Sequence, residues 1–97
     1  MFPDRIERAI LSHPAVELCC VVGVPDEVRI NYPKAFVVLK PGKDRAVVKN
    51  EILDVCRQNL PEYMVPDEIE YRTELPRTQR GKIDYRKLEA EAKTYKS

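Results

Sequence analysis

At 97 residues the chain makes one domain at most, which buries roughly 60–70% of its unfolded surface around one modest core. Its net charge of +1, with 34% of residues charged, describes a mixed-sign surface and lies far from the basic footprint of a nucleic-acid-binding domain. No apolar run approaches the ~20 residues of a membrane span and no signal-peptide pattern opens the chain. The cysteines are Cys19, Cys20 and Cys56, an odd number with two adjacent. That pattern argues against a disulfide framework and for a reducing, cytoplasmic compartment. With one histidine, His13, and no CxxC, no metal site is expected.

Phe2-Pro3-Asp4 reads as a helix start, with Pro3 at the first helical position and acid in the first turn. Ile6, Ala9, Ile10 and His13 share one helical face, and Pro14 stops the helix, leaving His13 as a residue of its terminus. Residues 16–24 are almost continuously apolar apart from Glu17, as a buried strand is. A loop is expected from Gly23 through Asp26, then a second strand over residues 34–39. Pro41-Gly42 turns the chain, and Asp44 is placed to cap a helix whose stripe is Val48, Ile52, Cys56 and Leu60. Cys56 on that stripe reads as a small core residue, with no histidine near it to activate a thiolate. Pro61 ends the helix, residues 63–66 form an apolar connector, and residues 68–72 alternate polar and apolar as a half-exposed strand does. Tyr85, Leu88 and Ala92 mark a last helix. The order α-β-β-α-β-α predicts an α+β fold: a small mixed three-stranded sheet covered by helices, with the middle helix as a crossover that permits parallel pairing of strands two and three.

The most informative stretch is LPRTQRGKIDYRKL, residues 75–88. It sets Arg77, Arg80, Lys82, Arg86 and Lys87 against a single acid, Asp84, in a chain that is nearly neutral. Pro76 cannot donate a ladder bond, so a strand entering from the left is expected to end near it. Gly81 permits backbone angles closed to other residues, and Asp84 can cap the following helix. Lys82 is thus expected on a tight exposed loop, mobile because few apolar residues anchor 77–81, where its ammonium suits a phosphate or carboxylate. A nucleotide-binding P-loop is excluded, since it would need Gly where Pro76 stands and Ser or Thr where Ile83 stands. A solvated basic turn fits the same residues, and so does a weak nucleic-acid-binding surface with one interleaved aromatic, Tyr85.

Several stretches together resemble the C-terminal domain of the AMP-forming, adenylate-forming ligases, a superfamily of acyl-CoA synthetases, peptide-synthetase adenylation domains and luciferases. They are FPDRIERAILSHPAV, VVGVPDE, KAFVVLKPG, LPEYMVP and LPRTQRGKIDYRKL, in family order over nearly the whole chain. The resemblance implies the AMP-binding enzyme C-terminal domain fold for residues 1–97, with the N-terminal ATP- and acyl-binding domain and the hinge lying outside the chain. It implies that Lys82 is the catalytic lysine that reaches into the large domain while acyl-adenylate forms. Gly81 would let the backbone come close, and Thr78, with Arg77 and Gln79, would shape the loop. The implied substrates are a carboxylic acid, ATP with magnesium, and coenzyme A or a carrier-protein pantetheine. The implied partner is the N-terminal adenylation domain, without which the chain is expected to be inactive. Ile30 and Asn31 depart from the Gly-Glu that the family often carries there. The alternative is a non-catalytic binding module that keeps the fold and docks a partner protein.

Overall fold

The structure, a computed structural model, describes residues 3–26 and 30–96, with side chains for 3–25 and 31–92. Helix α1 (Pro3–Leu11) begins at the proline, with Asp4 in its first turn and Arg8 in its last, both matched to the helix dipole. The helix ends by handing its backbone to His13. The Ala15 amide donates to His13 Nδ1 at 3.0 Å, which leaves Nε2 as the protonated nitrogen facing Glu51 Oε1 at 2.8 Å. His13 therefore clamps the turn from α1 to the first strand, as a helix-terminus residue.

Strands β1 (Val16–Asp26) and β2 (Ile30–Leu39) form an antiparallel hairpin paired from Val16↔Leu39 to Asp26↔Ile30. Helix α2 (Arg45–Asn59) carries the chain across to β3 (Glu68–Tyr71), which pairs parallel to β2 from Lys34↔Glu68 to Val37↔Tyr71. Asp44 caps α2 by accepting from the amides of Ala46 and Val47. A short 3-10 turn, Glu62–Met64, buries Met64. Helix α3 (Tyr85–Lys96) closes the chain. The sheet order is β1-β2-β3, the mixed sheet expected from the crossover.

Two boundaries differ from the sequence expectation. The loop expected from Gly23 is strand through Asp26, and β2 begins at Ile30, before the expected Lys34. The Pro33 carbonyl accepts from the Asp67 amide at 3.0 Å, so its ring nitrogen also faces the β3 side. That position precedes the first β2–β3 pair, so the missing N–H deprives no ladder partner. The residues 27–29, which hold the end of the VVGVPDE stretch and the start of the loop after it, lie outside the described residues. The second difference is at β3, which ends at Tyr71 and not near Pro76; residues 72–76 are irregular and drop Leu75 into the core.

Both faces of the sheet are covered, which is why most of β1 reads as a nearly continuous apolar run. On one face Ile6 and Ile10 of α1 and Ile52 and Cys56 of α2 pack on Val21 and Val37. On the other, Leu88 and Ala92 of α3 pack with Leu75 on Cys20, Phe36 and Val38. The two-residue period of a strand sends adjacent Cys19 and Cys20 to opposite cores, so they do not face each other. Burial pushes the Cys20 thiol up to about 12 and Cys56 up to about 11, and raises Cys19 as well, with the Glu7 carboxylate adding to the effect on Cys19 and Cys20. A thiol reagent at neutral pH is accordingly expected to leave all three unmodified in the folded chain and to label all three in denaturant. Rapid labelling of the native chain would contradict this burial.

Candidate functional site

The basic stretch folds into a small hairpin at the N-terminus of α3. Arg77 and Ile83 form an antiparallel bridge. Inside it, the Thr78 amide donates to the Lys82 carbonyl at 2.7 Å and the Gly81 amide donates back to the Thr78 carbonyl at 2.9 Å. Residues 79–81 are then a three-residue loop whose last member is left-handed, with Gly81 at φ +85°. The Arg80 amide also reaches Thr78 Oγ1 at 3.3 Å, and Arg77 Nη1 donates to the Gly81 carbonyl at 2.9 Å. The loop is exposed and has no apolar side chain from 77 to 82, yet its own hydrogen bonds close it.

A Cβ at Gly81 would meet nothing within 4 Å, so only its backbone angle resists substitution. Gly81→Ala is expected to cost about 1–2 kcal/mol, the penalty of a left-handed L-residue, spent on opening the hairpin. Amide exchange at Thr78 should accelerate in Gly81→Ala while the amides of β2 keep their protection; unchanged exchange at Thr78 would refute the strain argument.

Lys82 is exposed at the end of this hairpin. Among the described residues its ammonium has no hydrogen-bond or ion-pair partner. Its backbone is held on both sides, through its own carbonyl and through Ile83, which packs against the α3-side core. Asp84 then starts α3: its amide donates to the Pro76 carbonyl at 2.8 Å and its carboxylate accepts from the Lys87 amide at 3.1 Å. The arrangement is a free cation on a short, backbone-closed support, able to complement charge on phosphate or carboxylate oxygens supplied from outside.

Three neighbouring features were not legible in the sequence. Glu7 of α1 accepts from the Tyr85 hydroxyl at 2.8 and 3.1 Å and from the Val21 amide at 2.8 Å. Arg72 binds Glu70 at 2.8 Å and Glu91 of α3 at 2.7 Å. Lys34, only 3% exposed, sits 3.0 Å from Glu70 and 3.7 Å from Glu68. Lys34 and Arg72 both lie over the Phe36 ring, at 5.1 and 4.8 Å from its centroid. Burial alone would raise the Glu70 carboxyl, but hydrogen bonds from Lys34 and Arg72 outweigh it and hold the group below its ordinary range. Charge alternation on β3 marks a half-exposed strand, and no local pattern names the partner across the sheet.

Among the described residues no group of three or more His, Cys, Asp or Glu is arranged to hold a metal ion, and no helix is long and apolar enough to cross a membrane.

Comparison with known proteins agrees with this geometry. The profile of the AMP-binding enzyme C-terminal domain family matches residues 5–82, a span that ends on the hairpin lysine. The chain is 43% identical over 90 residues to a probable CoA ligase of Humulus lupulus, covering 93% of this chain and 16% of that protein. It is 44% identical over 89 residues to a long-chain-fatty-acid–CoA ligase of Bacillus subtilis, covering 91% of this chain and 15% of the relative. The chain thus spans about one sixth of the length of these curated relatives. Among solved structures, the anthranilate CoA ligase AuaEII in complex with anthranoyl-AMP superposes with a TM-score of 0.88 at 40% identity, over 97% of this chain and 18% of that one. An acyl-CoA synthetase of Brucella canis gives a TM-score of 0.87 at 35% identity, over 98% of this chain and 18% of that one. Matching over most of its length in sequence and in fold, the chain belongs to the AMP-binding enzyme C-terminal domain family.

Proposed function

We propose that this chain is the mobile C-terminal domain of an ATP-dependent, AMP-forming acid–thiol ligase, and that Lys82 is its catalytic lysine. The observation that carries the reading is the exposed Lys82 ammonium, without a partner among the described residues, on a closed hairpin at the end of the family match. In the first half-reaction a carboxylate oxygen attacks the α-phosphorus of ATP and pyrophosphate leaves. Negative charge grows on oxygens that a fixed ammonium stabilises, with no proton transfer required of Lys82. In the second, a thiol sulfur attacks the acyl carbonyl and AMP leaves. Gly81 and Thr78 act by shaping the hairpin that holds the lysine. ATP enters with its magnesium on a larger N-terminal domain, which also supplies the acyl pocket. Coenzyme A is the favoured acceptor over a carrier-protein pantetheine because the relatives named above are CoA ligases. Three unpaired cysteines support a reducing, cytoplasmic setting.

The test reconstitutes an enzyme from this chain and the large domain of a relative, and measures the two half-reactions separately on wild type and Lys82→Ala. Neither part alone is expected to release pyrophosphate from ATP. A chain that serves only as a docking module would leave both half-reactions unchanged by Lys82→Ala.

A further inference from the structure

We infer that Glu7 and Tyr85 form a latch around the open edge of the sheet, and that they are positioning residues which set how the hairpin presents Lys82. The inference rests on the reading of Lys82 above, but its own observation is independent of catalysis. Helices α1 and α3 lie on opposite faces of the sheet. β1 is an edge strand, so the Val21 amide, which donates to Glu7, points off the sheet. The same Glu7 oxygen takes the Tyr85 hydroxyl at 2.8 Å, so one carboxylate joins α1, the rim of β1 and the first residue of α3.

Tyr85 is three residues beyond Lys82, and the steps between them are stiff. Ile83 is bridged to Arg77, and Asp84 is bonded through its amide to Pro76 and caps α3. A change in the pose of the first turn of α3 is therefore passed to the hairpin. Further along, α3 is held by Arg72 on Glu91 and by burial of Leu88 and Ala92, so the Tyr85 contact secures the end nearest the lysine. Partial burial, and then the Glu7 carboxylate, push the Tyr85 phenol above its ordinary value, and a phenol is already a protonated donor at neutral pH. Among the described residues the hydrogen bonds that Glu7 accepts come from neutral donors, the Val21 amide and the Tyr85 hydroxyl, so there the carboxylate acts as an acceptor hub.

The test uses backbone N–H residual dipolar couplings of the 97-residue chain, with Tyr85→Phe, Glu7→Ala and the double variant. In wild type, couplings from residues 77–83 should fit the alignment of the sheet. In Tyr85→Phe and in Glu7→Ala they should lose that fit while sheet couplings keep theirs, and the double variant should look like Glu7→Ala alone. Val48→Ala, in the opposite core, serves as a stability control that lowers the melting midpoint and leaves the hairpin couplings fitted. In the reconstituted enzyme Tyr85→Phe should slow acyl-adenylate formation roughly tenfold, the scale of one hydrogen bond to a charged group. Hairpin couplings that still fit the sheet in both single variants overturn the latch, as does a loss of fit spread over the whole sheet. Loss of the hairpin fit together with a fully active Lys82→Ala enzyme would uphold the latch and overturn the role of Lys82.

Discussion

Lys82→Ala is expected to lower the rate of acyl-adenylate formation in the reconstituted enzyme by at least about 10²–10³, or about 3–4 kcal/mol of transition-state stabilisation. That figure is the loss for one preorganised neutral donor; a full positive charge in a water-excluded site is worth more. The support for preorganisation is structural. The hairpin is closed by backbone bonds on both sides of Gly81, and the ammonium has no partner among the described residues to leave behind. Lys82→Arg should recover only part of the rate. A planar guanidinium on a longer stem cannot occupy the position of a compact ammonium from the same backbone. The thioester-forming step, started from preformed acyl-adenylate, should survive Lys82→Ala nearly intact, because a mobile domain, as we propose this chain to be, can carry the lysine out of the site between half-reactions. Equal losses in both steps would mean that Lys82 merely supports the domain interface. No loss in adenylation would remove the catalytic assignment.

The largest effect on stability is expected at Phe36. It is fully buried at the centre of β2, in the core beneath α3, with Lys34 and Arg72 laid over its ring. Phe36→Ala removes a large apolar side chain and leaves a void that its neighbours fill only in part, a cost of about 3–5 kcal/mol. It also strips the apolar support from the buried Lys34 ammonium, which pairs with Glu68 and Glu70. For a chain of this size, with a total of about 5–15 kcal/mol, the loss is about a fifth or more of the stability, and should lower the melting midpoint by roughly 12–40 °C. Phe36→Leu should cost less than half as much, since it keeps most of the volume. Thermal unfolding followed by circular dichroism, with Val47→Ala on the exposed face of α2 as reference, measures the difference. A Phe36→Ala midpoint equal to that of Val47→Ala would show that the core is not packed as described.

Local chemistry carried a large part of the architecture into the sequence. Pro3 and Asp44 mark helix starts through a fixed φ and a side-chain acceptor, and Val48, Ile52, Cys56 and Leu60 mark a buried stripe through the helical repeat. The run from Val16 disclosed a strand covered on both faces, and Gly81 disclosed the left-handed corner of the lysine hairpin. Each of these signals lies within a few residues of what it specifies, because backbone angles, caps and side-chain period are local properties. The mixed sheet followed from a single further step, the length of the crossover between β2 and β3.

Tertiary structure alone decided the rest. Strand continuity through Pro33 depended on where β3 begins, since a proline harms a strand only where its missing N–H had a partner. The pairing of Glu7 with Tyr85 joins residues 78 apart, and that of Arg72 with Glu91 joins residues 19 apart. Charged and hydrogen-bonding side chains carry no period that names a distant partner; any of the acids in the chain was an equal candidate for Tyr85. Which one meets it was settled by the apolar faces: α1 and α3 dock on opposite sides of the sheet because each buries its own stripe, and that docking brings Glu7 round the edge of β1 to the first turn of α3. The sequence by itself determined that Lys82 stands on a glycine-cornered loop ahead of a capped helix; only the packing of the two helices across the sheet decided what that loop is held against.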